Sequence, residues 1–331
     1  MRPGGRIGAI DVVKAAAIVA VVITHAGRAP WDPRYGLADA LLSGFWAQFH
    51  VPSFLLVSGL LYRRMHPIRL PEIGRRLARV LVPYGIASLV AQGLGLSGAH
   101  GIGDVLYQLA TGSALGIYYY VFLLTLFIPA LWPLSRLGER ALSWLLGVVF
   151  AASFVFELVV QWQAARGGAQ PGGLFWLMRN PLNYSFFMFV TGWWCASHLP
   201  ALRRMLEERR GWLLLACLLA ATLDAYLSLV SHTWVPAGIV RVAYTLAVVV
   251  VLSLASRGRE VGRVLRFLSE NTLSIYLYHH MFQLALSPWL EGAPGGLRIP
   301  ALLAAGLAGS SALCLLGRRL LGRRARLLLG A

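Results

Sequence analysis

The sequence predicts an all-α, polytopic integral membrane helix bundle of about ten transmembrane helices, with both termini cytoplasmic. Three observations carry that expectation. Hydrophobic residues make up 58% of the 331 and charged residues 13%, against about 45–50% and about 25% in average domains. So few charges could not cover a water-facing surface. Ten segments each approach the ~20 apolar residues that a helix needs to cross a bilayer. The charges are also lopsided: 30 basic against 13 acidic residues, a formal +17, and Lys14 is the only lysine. This composition excludes a disordered chain, a collagen and a disulfide scaffold.

Taken in order, the first span covers 7–27. Asp11 and Lys14 interrupt it, and its apolar run continues too far for a cleaved leader. The second, 42–62, contains Gln48-Phe49-His50-Val51-Pro52 and continues to Ser58-Gly59. An arginine-dense loop, Arg75-Arg76-Leu77-Ala78-Arg79, leads into the third, 79–96. The fourth, 117–135, opens Ile117-Tyr118-Tyr119-Tyr120. Spans 141–162 and 181–199 follow, with a Gly-rich loop between them, and then 211–230 and 236–256 with Asp224 and Arg241 in their outer parts. The ninth, 267–289, holds Ser274-Ile275-Tyr276-Leu277-Tyr278-His279-His280, and the tenth is 299–317. Ten such helices use roughly 200 residues. The expectation is therefore one transmembrane domain over 1–331 with short loops and no appended soluble domain. Cys195, Cys217 and Cys314 sit in apolar runs without CxxC or metal-ligand spacing, so they read as packing residues and no metal is expected.

Arginine placement sets the orientation. With the N-terminus inside, 23 arginines fall in inner segments and five (Arg28, Arg34, Arg166, Arg179 and Arg298) in outer ones. That bias in short loops is the positive-inside pattern, and dropping one span would scramble it. Basic residues dispersed in this way offer no reading head for nucleic acid.

Ionisable groups within spans cost about 2.5–3.5 kcal/mol at the bilayer centre on insertion scales, so each is a functional candidate. In the first span, Lys14 and His25 are eleven residues apart, which brings them to nearly the same side of a helix, about 16 Å apart along its axis. Asp11 lies one turn before Lys14 on that side. The alternative is that Asp11 and Lys14 only neutralise each other while His25 sits at the interface. His50 lies in the outer part of the second span, where a backbone carbonyl would equally satisfy it. His279 falls near mid-membrane and needs a partner or a cavity. Arg76 and Arg79 share a helical face and suit a phosphate clamp; the plainer reading is a topological anchor. Asp224 and Arg241 are expected to pair with each other, and Glu157 and Glu270, near span ends, to face water.

At these residues the sequence resembles acyltransferase family 3, integral membrane O-acyltransferases, and within it the fucose 4-O-acetylase-like branch. Lys14 running on to His25, with Asp11 before them, matches the basic-x10-His signature. Phe49-His50-Val51-Pro52-Ser53-Phe54, running to Ser58-Gly59, matches the FHxPxF…SG pattern, and Arg76 and Arg79 match RxxR with a trailing Pro83. Ser274, Tyr276 and His279 match the late S-x-YLxH stretch. Alanines follow Lys14 where glycine is common in the family, and the tyrosine run at 118–120 replaces a Trp-Phe-Leu pattern.

The resemblance implies transfer of an acyl group, usually acetyl from acetyl-CoA, to a hydroxyl of a carbohydrate or glycolipid acceptor such as an exopolysaccharide. It places the chain in the lipid bilayer of a bacterial plasma (inner) membrane, alongside polysaccharide-biosynthesis proteins. Arg76 and Arg79, with Lys14, would hold the phosphates of the acyl-CoA. His25 would act as general base or carry the acyl group itself. His50 and His279 would orient it, share its proton or contact the acceptor. Asp11 would hold Lys14; Ser58 is a weaker nucleophile whose Ser-Gly context also suits helix packing. The rival reading is a transporter or flippase for a lipid-linked saccharide, which would use intramembrane charges equally well.

Overall fold

A computed structural model describes residues 8–29, 32–63, 68–166, 177–229 and 238–330. Arg2, Arg6 and Arg64, part of the loop 164–180 and the residues joining the seventh and eighth spans lie outside the described residues. Among those described all regular secondary structure is helical, with no strand. The helices are α1 (Gly8–Ala26), α2 (His50–Arg63), α3 (Leu70–Gly93), α4 (Ile102–Thr111), α5 (Tyr119–Leu134), α6 (Glu139–Ala165) and α7 (Ser185–Ser197), then α8 (Leu199–Glu208), α9 (Arg210–Leu229), α10 (Gly238–Ala255), α11 (Arg263–Glu270), α12 (Thr272–Leu286), α13 (Gly295–Leu321) and α14 (Ala325–Leu328).

Among the described residues, seven helical stretches are long and apolar enough to cross a membrane: Gly8–Ala26, Asp39–Arg63, Ile102–Leu134, Glu139–Gln163, Arg210–Leu227, Gly238–Ala255 and Gly295–Leu328. The other three of the ten expected spans are helices of a different kind. α3 carries Arg75, Arg76 and Arg79 in its first turns. α7 has 13 residues. The ninth span is two helices, α11 and α12, which meet at Asn271.

Boundaries also differ from the sequence reading. The arginine-dense loop before the third span is helix: α3 starts at Leu70, with Pro71 in its first turn, where a missing N–H is harmless. The outer loop 97–116 contains α4. The second span does not begin as a regular helix. A π-helical stretch (Asp39–Phe45) and a 3-10 turn (Trp46–Phe49) precede α2, so His50 is its first residue. Glu157 does not face water. It is buried, and accepts hydrogen bonds from the Tyr184 hydroxyl (2.7 Å) and the Gly238 (2.7 Å) and Ile239 (3.2 Å) amides, so it caps the first turn of α10.

The helices are layered by exposure. α1 lies at the centre, with Ala15, Ala17, Ile18, Ala20 and Val22 fully buried. Large apolar side chains project outward from α6 (Trp144, Val148, Val155) and α9 (Leu218, Leu219, Leu223). In water such a surface would be a liability; against lipid tails it needs no cover.

Relative helix directions follow the alternation set by arginine placement. α1 runs parallel to the α11–α12 pair: Asp11 meets Ser269, and further along Val22 meets Gln283. α1 and α13 are antiparallel, because Gly306 approaches Val22 while the Arg298 guanidinium donates to the Ala26 carbonyl. α12 and α13 are antiparallel, tied by Ser274 to Cys314 and, at the junction before α12, by Asn271 to Arg318. α2 and α7 run parallel, with Arg63 donating to the Ser197 hydroxyl where both helices end, and their backbones approach closely. A Cβ on Gly59 would collide with the Phe189 carbonyl oxygen, and one on Gly192 with that of Leu56.

Candidate active site

His25 occupies the last turn of α1. Its ring centre lies 5.6 Å from that of His279 and 5.3 Å from that of His280, both on α12. These three imidazoles come together because α1 and α12 run parallel, the first and ninth expected spans crossing in the same direction. His25 is only partly buried, whereas His279 is fully buried.

Hydrogen bonding fixes the tautomers of two of the rings. His279 Nδ1 lies 2.9 Å from the carbonyl oxygens of both Ile275 and Tyr276. Carbonyls only accept, so Nδ1 carries the proton and Nε2 keeps its lone pair. That Nε2 is buried and has no hydrogen-bond partner among the described residues. His280 Nδ1 lies 3.2 Å from Gln283 Oε1. The Gln283 amide nitrogen donates to the Val22 carbonyl at 2.8 Å, which orients the amide with its oxygen toward His280. His280 is therefore also a donor at Nδ1 with a lone pair at Nε2.

The backbone around the cluster is braced. Tyr118 donates its hydroxyl to the Leu277 carbonyl at 2.8 Å, and Tyr276 donates to the Ile117 carbonyl. The tyrosine run that departs from the family pattern thus buttresses the helix bearing His279. At the end of α1, buried Asp39 accepts from the Arg28 amide (2.8 Å) and the Gly36 amide (3.1 Å), and faces the Arg28 guanidinium at 4.0 Å. Arg28 in turn donates to the carbonyls of Glu291 and Ala293. In the same loop, hydrogen bonds from Arg34 hold the Asp32 carboxyl down at about 2. Asp39→Ala would leave the Arg28 guanidinium without its carboxylate and free two amides. The expected loss is about 1–3 kcal/mol, read as a lower melting temperature in detergent, with Asp39→Asn milder.

The remaining candidates lie elsewhere in the bundle, except His50, which is close enough to His25 and His279 to interact with both electrostatically. Asp11 is buried and accepts from the Ser269 hydroxyl on α11 at 2.6 Å. Lys14 is partly buried one turn further along. Arg76 is buried, faces Glu72 at 3.6 Å and lies 4.9 Å above the Tyr62 ring; Arg79, one turn on, is exposed. The two guanidiniums are on one helix in different surroundings. His50 is buried with Nδ1 2.6 Å from the Ala47 carbonyl, the backbone partner that the plainer reading expected. Ser58 Oγ lies 3.3 Å from the Tyr120 hydroxyl, beside the Gly59 crossing. Asp224 and Arg241 do pair, at 3.5 Å, and Arg241 also donates to Gln48 Oε1 at 2.7 Å.

Sequence reasoning missed His280 and Gln283. The signal was present: a doublet of histidines in an apolar span, with a glutamine three residues beyond the second, on the same helical face. Among the described residues no group of three or more His, Cys, Asp or Glu side chains has a geometry that could hold a metal ion.

Comparison with known proteins adds one result. A family model described as an acyltransferase domain matches residues 7–315. No curated protein and no solved structure matches the chain.

Proposed function

The chain belongs to acyltransferase family 3, and we propose that within it the protein moves an acyl group, acetyl in the simplest case, from acyl-CoA to a hydroxyl of a sugar or glycoconjugate. The observation that carries this reading is the placement of His25: a partly exposed imidazole at one end of the central helix, grouped with two further imidazoles inside a multi-pass bundle. A neutral imidazole has the basicity to take a hydroxyl proton as the hydroxyl oxygen attacks a thioester carbonyl. It also has the nucleophilicity to carry the acyl group for one step. Asp11, Lys14, Arg76 and Arg79 belong to the other end, where the arginine-rich segments lie. In this reading that end faces the cytoplasm, binds the donor phosphates and sends the pantetheine arm along α1 toward His25. The acceptor is then a cell-envelope or secreted glycan, met at the outer face of a bacterial inner membrane.

Labelled acetyl-CoA, incubated with membranes containing or lacking the protein, tests the proposal. A labelled glycan that appears only with the protein supports it; equal labelling in both overturns it.

The donor assignment has its own test. Arg76→Ala together with Arg79→Ala should remove charge-assisted hydrogen bonds worth about 1.5–3 kcal/mol each, and so weaken acetyl-CoA binding by at least tenfold (about 1.4 kcal/mol) with acceptor binding unaltered. Arg79→Ala alone avoids disturbing the partly buried Arg76–Glu72 pair and should give part of the loss. Donor affinity unchanged in both variants would return these arginines to a topological role.

A further inference from the structure

We propose that His280, held by Gln283, is the proton partner of His25; the inference rests on the acyl-transfer reading above. Of the two α12 rings beside His25, that of His280 is nearer, at 5.3 Å between centres. Such a spacing allows a hydrogen bond of about 3 Å between facing ring nitrogens. His280 offers the correct atom. With Nδ1–H committed to Gln283 Oε1, its lone pair at Nε2 is free to receive a proton. His279 offers the same tautomer but is fully buried, whereas His280 keeps some exposure. Positive charge is cheaper to place on the less buried ring.

Gln283 does two things at once. Its oxygen accepts from His280, and its nitrogen donates to the carbonyl of Val22, one turn before His25 on α1. One side chain therefore sets the spacing between the helix bearing His25 and the ring that serves it. The proton inventory closes. The acceptor O–H bond breaks and its proton passes to His25 as the new C–O ester bond forms. The proton is shared between His25 and His280 while the tetrahedral centre exists. It is delivered to sulfur as the C–S bond of the thioester breaks, giving ester and free thiol. His280 acts through His25 and is a positioning residue.

The test uses the full-length protein in detergent or vesicles, with acetyl-CoA and the glycan acceptor identified by labelling. His280→Gln should lower kcat by about 10²-fold, the lower end of general acid–base contributions, with KM for donor and acceptor unchanged. The solvent deuterium isotope effect on kcat should rise, because proton movement becomes limiting. Gln283→Met, similar in volume but with no donor for Val22 and only a weakly accepting sulfur for His280, should give a smaller loss of the same type, and serves if His280→Gln does not fold. His198→Gln, at a histidine stacked on Trp194 far along the chain, should behave as wild type. Wild-type kcat and isotope effect in His280→Gln, beside an inactive His25→Ala, overturn the proton-partner role and leave acyl transfer standing. No transfer by the wild-type protein overturns both.

Discussion

His25→Ala is expected to remove acyl transfer, by 10²-fold at least and toward about 10⁴-fold if the imidazole serves as general base, while leaving a folded, membrane-inserted protein. The two halves of this expectation have separate grounds. The ring supplies the only basic nitrogen on the part of α1 that is grouped with the α12 imidazoles. It stands in the last turn of α1 and keeps some exposure. The packing of α1 instead rests on Ala15, Ala17, Ile18, Ala20 and Val22. The check is turnover with labelled acetyl-CoA alongside a size-exclusion profile and melting temperature of the purified variant. Near-normal turnover would sink the catalytic assignment. Loss of the monodisperse peak would show instead that His25 is structural.

The second large effect concerns folding. Gly192→Val should prevent α2 and α7 from meeting, at a cost of about 3 kcal/mol or more, the upper range for overpacking. A side chain there meets backbone, not a side chain that could rotate away: the Leu56 carbonyl carbon would lie 2.7 Å from the new Cβ. Gly59 faces the reciprocal contact, with the Trp193 amide nitrogen 2.9 Å away. Parallel helices that approach this closely gain van der Waals contact, which in lipid replaces the hydrophobic driving force. Gly147→Ala on α6 is the matched control, since nothing lies within 4 Å of its Cβ position. It should be neutral or stabilising by up to about 1 kcal/mol. Detergent-extracted yield and melting temperature read both variants. Equal behaviour of the two would refute the close-packing argument.

Much of this arrangement was legible in the sequence because bilayer physics is strict. Apolar length marked the helices, and arginine counts gave directions that the Asp11–Ser269 and Val22–Gln283 contacts follow. What the sequence concealed was local or non-local in specific ways. The break at Asn271 interrupts a run that hydropathy reads as continuous. The start of α3 among arginines was hidden because a charged helix end and a charged loop have the same composition. Glu157 looked like a surface carboxylate because its partners, Tyr184 and the first amides of α10, are 27 and 81 residues or more away. At the site, His25 and His279 stood out as imidazoles in apolar runs. His280 did not, because its role depends on which way α12 is turned toward α1.

The pairing of α1 with α11 and α12 carries a consequence for how the protein is made. Asp11 and its partner Ser269 are 258 residues apart in the chain. At about 5–20 residues per second of synthesis, α1 enters the membrane some tens of seconds before the helices that hold its polar side chains exist. During that wait Asp11, Lys14 and His25 must be sheltered by other means. The earliest neighbours available are the turns Asp39–Phe49 and α2, which also pack on α1 in the finished bundle. A nascent chain stopped before α11 should therefore be a marked target for membrane quality control, and one stopped after α13 should not.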